Sequence, residues 1–324
     1  MGRVGFTTTI PVEVLLAAGQ EPVDLNNLFI AAPYPQAMVD QAEEAGYPRT
    51  TCGWIKGLYT AALTSDLESV IAVMQGDCSN TQALMETLEL QGINMISFAY
   101  PYDRDPQALK ASLYKLMDHF GVSEAEVEKE KKRLDQVRHL CGIWDELTWK
   151  HNQVTSYENH IKLVSTSDFE GNPQRFATEL EQLIDEAQQR QPETGKVRLA
   201  YIGVPPIFTD LYQVLESLGA RVVFNEVQRQ FSMPYKTDNM VDQYISYTYP
   251  YGAFARLADM KEQIQKRQVQ GIIHYTQTFC YRQIEDMIFR QKLGLPFLTL
   301  EGDKPGKVDA RSRLRLEAFI NMLK

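Results

Sequence analysis

Three cysteines carry the chemistry open to this sequence: Cys52, Cys78 and Cys280, two in the first part of the chain and one near its end. Each stands where the local pattern predicts the start of a helix. Cys78 and Cys280 also each close a strand-like apolar run, IAVMQGDC and GIIHYTQTFC. A helix start offers unpaired N–H groups and the positive end of the helix dipole, and both favour the thiolate form of a cysteine. Thiolates are the ligands of iron–sulfur clusters, zinc and copper(I), and three of them brought together suit one shared iron–sulfur cluster. No CxxC pair is present, and His274, six residues before Cys280, leaves a zinc site with a histidine ligand open. Three inert core cysteines fit the spacing as well. Cys141 differs from the other three. It shares a helical stripe with Leu134, Val137, Trp144 and Thr148 and reads as a core residue.

The elements that must position these residues alternate between strand and helix at both ends of the chain. RVGFTTT (3–9) reads as a strand, followed by a helix entered at Pro11 and closed by Gly19. Prolines bracket a helix over 35–45, and another helix follows Cys52. Strands are predicted over 69–77 and 93–101, with Ser79 and Asn80 capping the helix between them. From 105 to 192 no β run occurs. Long helical stretches dominate there, with a capping box at Ser123 and Glu126 and a short helix or loop at 156–171. Residues 188–196 read as a linker. Strands at 197–205, 221–230, 271–279 and 296–300 then alternate with helices ending at Gly219 and over 257–268, 281–293 and 309–323. A tyrosine-rich irregular stretch covers 231–255. The pattern predicts an α/β fold: two doubly wound, Rossmann- or flavodoxin-like parallel-sheet domains, residues 1–104 and 196–324, with a helical connecting segment over 105–195. Such sheets bind ligands beyond the carboxyl ends of their strands, which would bring the three cysteines to the crevice between the halves.

The composition narrows the function classes. The chain has 324 residues, 44% of them hydrophobic, and a formal net charge of −9, which speaks against nucleic-acid binding. The basic run KEKKRLDQVRH (129–139) reads as a solvated helix face. No apolar run reaches the ~18 residues of a membrane span, and no signal-peptide pattern opens the chain. A cytoplasmic protein is expected, whose cysteines serve as thiols or ligands and not as a disulfide framework.

Around these residues the sequence resembles the 2-hydroxyacyl-CoA dehydratase family, the cluster-bearing subunits that also include benzoyl-CoA reductase components. GFTTTIPVEVLLAAGQEPVDL is similar to that family's opening strand and helix. Cys52 in CGWIKG, Cys78 in GDCSNTQAL and Cys280 in QTFCYRQ stand where the family has its three ligands, and LPFLTLEGDKPGKVDARSRLRLEAFINML resembles its closing strand and helix. The likeness covers most of the chain and is weakest across 105–195 and 231–255.

The resemblance implies a [4Fe-4S] cluster on Cys52, Cys78 and Cys280 with one open iron that can bind water or substrate. It implies elimination of water from a 2-hydroxyacyl-CoA through a ketyl radical, after one-electron activation by a separate ATP-dependent iron–sulfur protein. This chain has no GxxxxGK[ST] run of its own. The implied partners are an acyl-CoA substrate and a second subunit, paralogous or identical. A benzoyl-CoA reductase-like subunit, and a non-catalytic iron–sulfur electron-transfer or scaffold subunit, remain as alternatives.

Other residues follow as candidates. The hydroxyls of Thr7, Thr8 and Thr9, Thr8 above all, are placed to meet cluster-bound water or substrate, or to cap the next helix. Glu13 is a candidate acid or base, or a helix-stabilising first-turn acid. Gln277 and His274 fall on opposite faces of one strand. Lys56 and Arg282 are placed to balance cluster charge or to form salt bridges. Glu301 and Asp303 follow the last strand, and Tyr235, Tyr244, Tyr247, Tyr249 and Tyr251 could line an acyl pocket or pack a loop.

Overall fold

The computed structural model describes residues 2–324. It contains two four-stranded sheets, all parallel. The first is built from β1 (Arg3–Phe6), β2 (Glu21–Asp24), β3 (Ser69–Gln75) and β4 (Met95–Ala99) in the order β2-β1-β3-β4. The second repeats that order as β6-β5-β7-β8, from β5 (Val197–Gly203), β6 (Ala220–Asn225), β7 (Gly271–Gln277) and β8 (Phe297–Gly302). In each sheet the chain moves outward to one side from its first strand, then returns to the other side. The switch points therefore lie between β1 and β3 and between β5 and β7, which is where doubly wound sheets open a crevice for ligands.

Helices cover both faces of both sheets, which is why the inner strands read as continuous apolar runs. On one face of the first sheet, Leu25, Phe29, Ile55, Leu58 and Leu84 form a core with Val70. On the other, a single apolar cluster runs from Phe6, Ile71 and Phe98 through Leu113 of the helix Pro106–Phe120 and Leu134 and Trp144 of the helix Glu124–Trp149. It ends on Leu180 of the helix Pro173–Gln188. Met240, Tyr244, Tyr247 and Tyr251, from the tyrosine-rich stretch, close this cluster. The second sheet packs against Leu211, Leu215, Leu316 and Phe319 on one face and Leu257, Met260 and Phe289 on the other.

Most predicted elements are present, and the differences have local causes. β2 and the helix Leu25–Ala31 were not visible in the pattern. β2 has four residues, contains Pro22 and lies at a sheet edge, the one place where a strand tolerates a missing N–H. The run 221–230 is not one strand: β6 ends at Asn225 and Glu226–Phe231 is helical, buried on all sides. Alternation cannot separate a buried strand from a buried helix there. The Ser123–Glu126 capping box is present, and Thr155 and Glu158 form a second one, which starts the helix Ser156–Val164. Ser79 and Asn80 make no side-chain cap on the helix Thr81–Leu90; Thr81 instead donates to Asp77 Oδ2 at 3.1 Å. The helix Val12–Ala17 likewise begins at Pro11 with no side-chain cap from the threonines. No helix among the described residues is long and apolar enough to cross a membrane.

Candidate functional site

A cavity of about 300 Å³ opens at the carboxyl ends of both sheets, and Cys52, Cys78 and Cys280 all line it. Cys78 stands on the turn after β3 and Cys280 on the turn after β7, both next to switch points. Cys52 is the N-cap of the helix Gly53–Thr64, the crossover that leads into β3. The two strand-to-cysteine turns each use one left-handed residue, Gly76 (φ 98°) and Phe279 (φ 64°). At Gly76 a Cβ would come within 2.8 Å of Pro250 and 3.0 Å of Tyr100, so only glycine fits the backbone there. The halves meet directly around the site. Gln277 of β7 donates to the Asp303 carbonyl at 2.7 Å. That same carbonyl oxygen lies 2.8 Å from where a Cβ on Gly53 would sit, so the start of the Cys52 helix rests on the second half.

Each sulfur has backbone N–H groups directed at it. Asn80 N donates to Cys78 Sγ at 3.4 Å. Cys52 is served by the amides of Trp54 and Ile55, and Cys280 by that of Arg282. Burial nevertheless outweighs these contacts in the free thiols. It pushes Cys52 up to about 11 and Cys78 to about 12, with the Asp77 carboxylate adding to the shift at Cys78, and it raises Cys280 too. The helix-start argument therefore identifies the N–H donors correctly but not the net shift, because the cavity removes more hydration than the donors return. A bound metal would displace the thiol proton, and the same N–H donors would stabilise the ligated sulfur.

Among the described residues, no three His, Cys, Asp or Glu side chains are grouped as ligands of a single ion. The donor set is three soft sulfurs around a mostly apolar cavity, with amides on the sulfurs. Soft sulfurs are the ligand type of iron–sulfur clusters, zinc and copper(I). His274 takes no part. It is fully buried on β7, packed against Phe289 and Phe297, its Nδ1 bonds Asp286 Oδ1 at 2.9 Å, and it is not among the residues that line the cysteine cavity.

The other predicted residues divide between the cavity and its support. Thr7 and Thr8 line the cavity. Thr7 Oγ1 accepts from Val73 N at 3.1 Å, where the β3–β4 register shifts, whereas the Thr8 hydroxyl has no protein partner among the described residues. Glu13 is not brought to the cysteines. It is fully buried, with Oε1 accepting from Arg138 at 2.6 Å and Gln243 at 2.7 Å and Oε2 accepting from Tyr244 at 2.7 Å. Burial pushes its carboxyl up, but Arg138 and the hydrogen bonds outweigh this and hold it below its ordinary value. Lys56 forms a salt bridge with Glu43 at 2.7 Å. Arg282 lines the cavity, its guanidinium 4.6 Å from the Tyr249 ring centroid and 5.4 Å from that of Tyr281. Of the five predicted tyrosines only Tyr249 lines the cavity; Tyr244, Tyr247 and Tyr251 belong to the core. Glu301 accepts from Thr278 and Gln283 at the surface, outside the cavity lining. Cys141 is buried in the core.

Several cavity residues were missed by the sequence reading, Asp24, Asp77 and His160 among them. Asp24 ends the unforeseen β2. Asp77 is pushed up to about 6 by burial. His160 lies in the segment read as a short helix or loop. The Thr155–Glu158 spacing is the signal that marks that helix.

No curated protein matches the chain. The family described as 2-hydroxyglutaryl-CoA dehydratase, D-component, matches residues 7–323, nearly the whole chain and including every residue that lines the cavity. A match of that extent is decisive for membership: this chain belongs to the 2-hydroxyglutaryl-CoA dehydratase D-component family.

Proposed function

We propose that the chain is the cluster-bearing subunit of a 2-hydroxyacyl-CoA dehydratase, with Cys52, Cys78 and Cys280 as the three ligands of a [4Fe-4S] cluster that has one open iron. The observation that carries this reading is the convergence of the three sulfurs, each with backbone amides directed at it, on one cavity fed by both switch points. When bound, the cluster would supply one low-potential electron and an open iron for a substrate oxygen. The chain's own residues do the rest. The amides of Trp54, Ile55, Asn80 and Arg282 stabilise thiolate charge, and the Arg282 guanidinium adds a fixed positive charge beside Cys280. Ile30, Trp54, Leu58 and Phe208 exclude water from the acyl group, and Thr8 offers a hydroxyl to the substrate oxygen.

The reaction is loss of water from a 2-hydroxyacyl thioester by the family's radical route. A separate ATP-dependent iron–sulfur activator supplies the electron, and a paralogous or identical chain is the second subunit. In this reading residues 1–104 and 196–324 are the two α/β domains and 105–195 connects them.

The test is anaerobic purification followed by iron analysis and an assay with a 2-hydroxyacyl-CoA and an activator. About four irons per chain are expected, lost in Cys78→Ala, together with formation of the unsaturated thioester. Iron-free anaerobic protein would sink the proposal.

A further inference from the structure

His160 lines the cavity from the helix Ser156–Val164, and its ring lies flat on Tyr212, with centroids 4.5 Å apart and planes 22° apart. Its Nδ1 accepts from Gln228 Nε2 at 3.0 Å. Nε2 has no hydrogen-bond partner among the described residues, and the residue lines the cavity.

The polarity of this arrangement is set far from the cavity. Asp145 is buried and bound by both ends of the Arg267 guanidinium, Nη1 to Oδ1 at 3.1 Å and Nη2 to Oδ2 at 2.5 Å. An ionised carboxylate only accepts, so Asn159 must present its amide nitrogen to Asp145 Oδ1, at 3.2 Å. Asn159 Oδ1 is then left to accept from Asn225 Nδ2 at 3.3 Å. Asn225 Oδ1 in turn accepts from the Tyr212 hydroxyl at 2.8 Å. Having donated its only proton, Tyr212 Oη accepts from Gln228 Nε2 at 3.0 Å, and the second proton of that amide goes to His160 Nδ1. Each step fixes the orientation of the next. The chain of bonds ends with an imidazole whose Nδ1 accepts and whose Nε2 carries the proton. Burial also pushes the ring down, to about 3, which favours its neutral form.

A histidine that served only packing would have both nitrogens enclosed or wet. This one is held in a single tautomer by five other side chains and presents one N–H to an otherwise apolar wall. We propose that His160 orients the acyl ligand in the cavity by donating its Nε2–H to an acceptor oxygen of the thioester or of the 2-hydroxyl, and that the Asp145–Asn159–Asn225–Tyr212–Gln228 relay is what keeps it a donor. This rests on the acyl-CoA reading above. The relay also excludes His160 as a general acid or base, since the ring neither gains a proton nor gives up its only one without reversing every bond behind it. The ligand class is a neutral oxygen acceptor at the acyl end; Tyr157 and Ile161, on the same wall, accommodate carbon.

The test uses the anaerobically purified chain with ¹⁵N-labelled histidine, its His160 signals assigned by comparison with His160→Gln, together with calorimetry of 2-hydroxyacyl-CoA binding. The free protein is expected to show the neutral Nε2–H tautomer, and added thioester is expected to move the His160 Nε2 signal. His160→Leu should bind the thioester about 5- to 10-fold more weakly, the size of one lost hydrogen bond, while His160→Gln, which keeps an N–H donor, retains most of the affinity. Gln228→Leu should release the tautomer, so that an Nδ1–H population appears. An Nδ1–H form in the unsubstituted protein overturns the inference. So does a bound thioester that leaves the His160 signal and the His160→Leu affinity unchanged, with the dehydratase reading intact. A chain that binds no thioester at all overturns both.

Discussion

Cys78 and Cys280 occupy the same position in the two halves of the molecule: each stands three residues beyond a terminal glutamine, Gln75 of β3 and Gln277 of β7. β3 and β7 hold the same place in identically ordered sheets. The helix leading into β3 is capped by Cys52 and the helix leading into β7 by Gly252. At this cap the first half has a thiol and the second has none. In the proposed function, having three sulfurs and not four is what leaves one iron open.

The cysteines should separate into two classes by iron content. Cys52→Ala and Cys280→Ala are expected to lose cluster iron as Cys78→Ala does. Cys141→Ala should keep full iron content and lose only about 1 kcal/mol of stability in chemical denaturation, the scale of one small apolar group removed from a core. Iron loss in Cys141→Ala would show that the ligand set is wrong.

Glu13 should govern stability and leave iron content alone. Glu13→Gln removes the buried carboxylate partner of the Arg138 guanidinium, leaving it only the partly exposed Asp135 at 3.3 Å, and is expected to cost about 3 kcal/mol in urea unfolding at neutral pH. The carboxyl is held below its ordinary value of 4.5 in the folded chain, so its contribution is fully present above 4.5 and lost as pH falls from there through the lower folded value. The cost of Glu13→Gln should therefore shrink on acidification below 4.5; a cost that stays constant down to strongly acid pH would remove Glu13 from that account.

Gly76→Ala tests the turn that presents Cys78. The left-handed backbone and the contacts with Pro250 and Tyr100 allow no Cβ, so a loss of about 1–3 kcal/mol is expected. Since the strain falls two residues before a proposed ligand, iron should also leave faster under a chelator than from the unsubstituted protein. Gly92→Ala, also left-handed but with no atom within reach of its Cβ, should lose stability and retain iron normally.

Asp168 should give stability a pH slope of the opposite sign. Burial, and the Asp24 carboxylate beside it, push Asp168 up to about 7 from an ordinary 3.8. A raised carboxyl stabilises the fold most below its unfolded value and loses that contribution as pH rises to its folded value. Stability is expected to fall between pH 3.8 and about 7 and then level off, and Asp168→Asn should flatten that window. The check is denaturant midpoint against pH for both proteins; an unchanged slope in the variant would assign the titration elsewhere.

What the sequence determined by itself was whatever depends on neighbours along the chain. The helix at Ser123 was legible because a capping box is closed within four residues. The buried strands β3, β5 and β7 were legible because strands covered on both faces are apolar throughout. Cys141 was separable from the other cysteines by helical spacing alone, and the order of motifs along the chain was enough to identify the family resemblance. Besides the expected cap at Ser79 and Asn80, which does not form, two element patterns failed. β2 is too short and too proline-marked to stand out, and 221–230 is too evenly buried to show where strand becomes helix.

The tertiary structure decided the partners of each charged or polar side chain, because those lie tens to hundreds of residues away. Glu13 looked like a first-turn acid and is the acceptor for Arg138, Gln243 and Tyr244. Lys56 stood beside a cysteine and is bound to Glu43. The cysteine thiols stood at helix starts, but their protons are held by the desolvation of a cavity that no single segment builds. His160 gave no sign of chemistry in the sequence, since its tautomer is set by Asp145 through residues from four separate elements. Local sequence specifies backbone conformation through short-range sterics and hydrogen bonds. Charge state and proton position follow from burial and long-range contacts, and those exist only once the two halves have closed on one another.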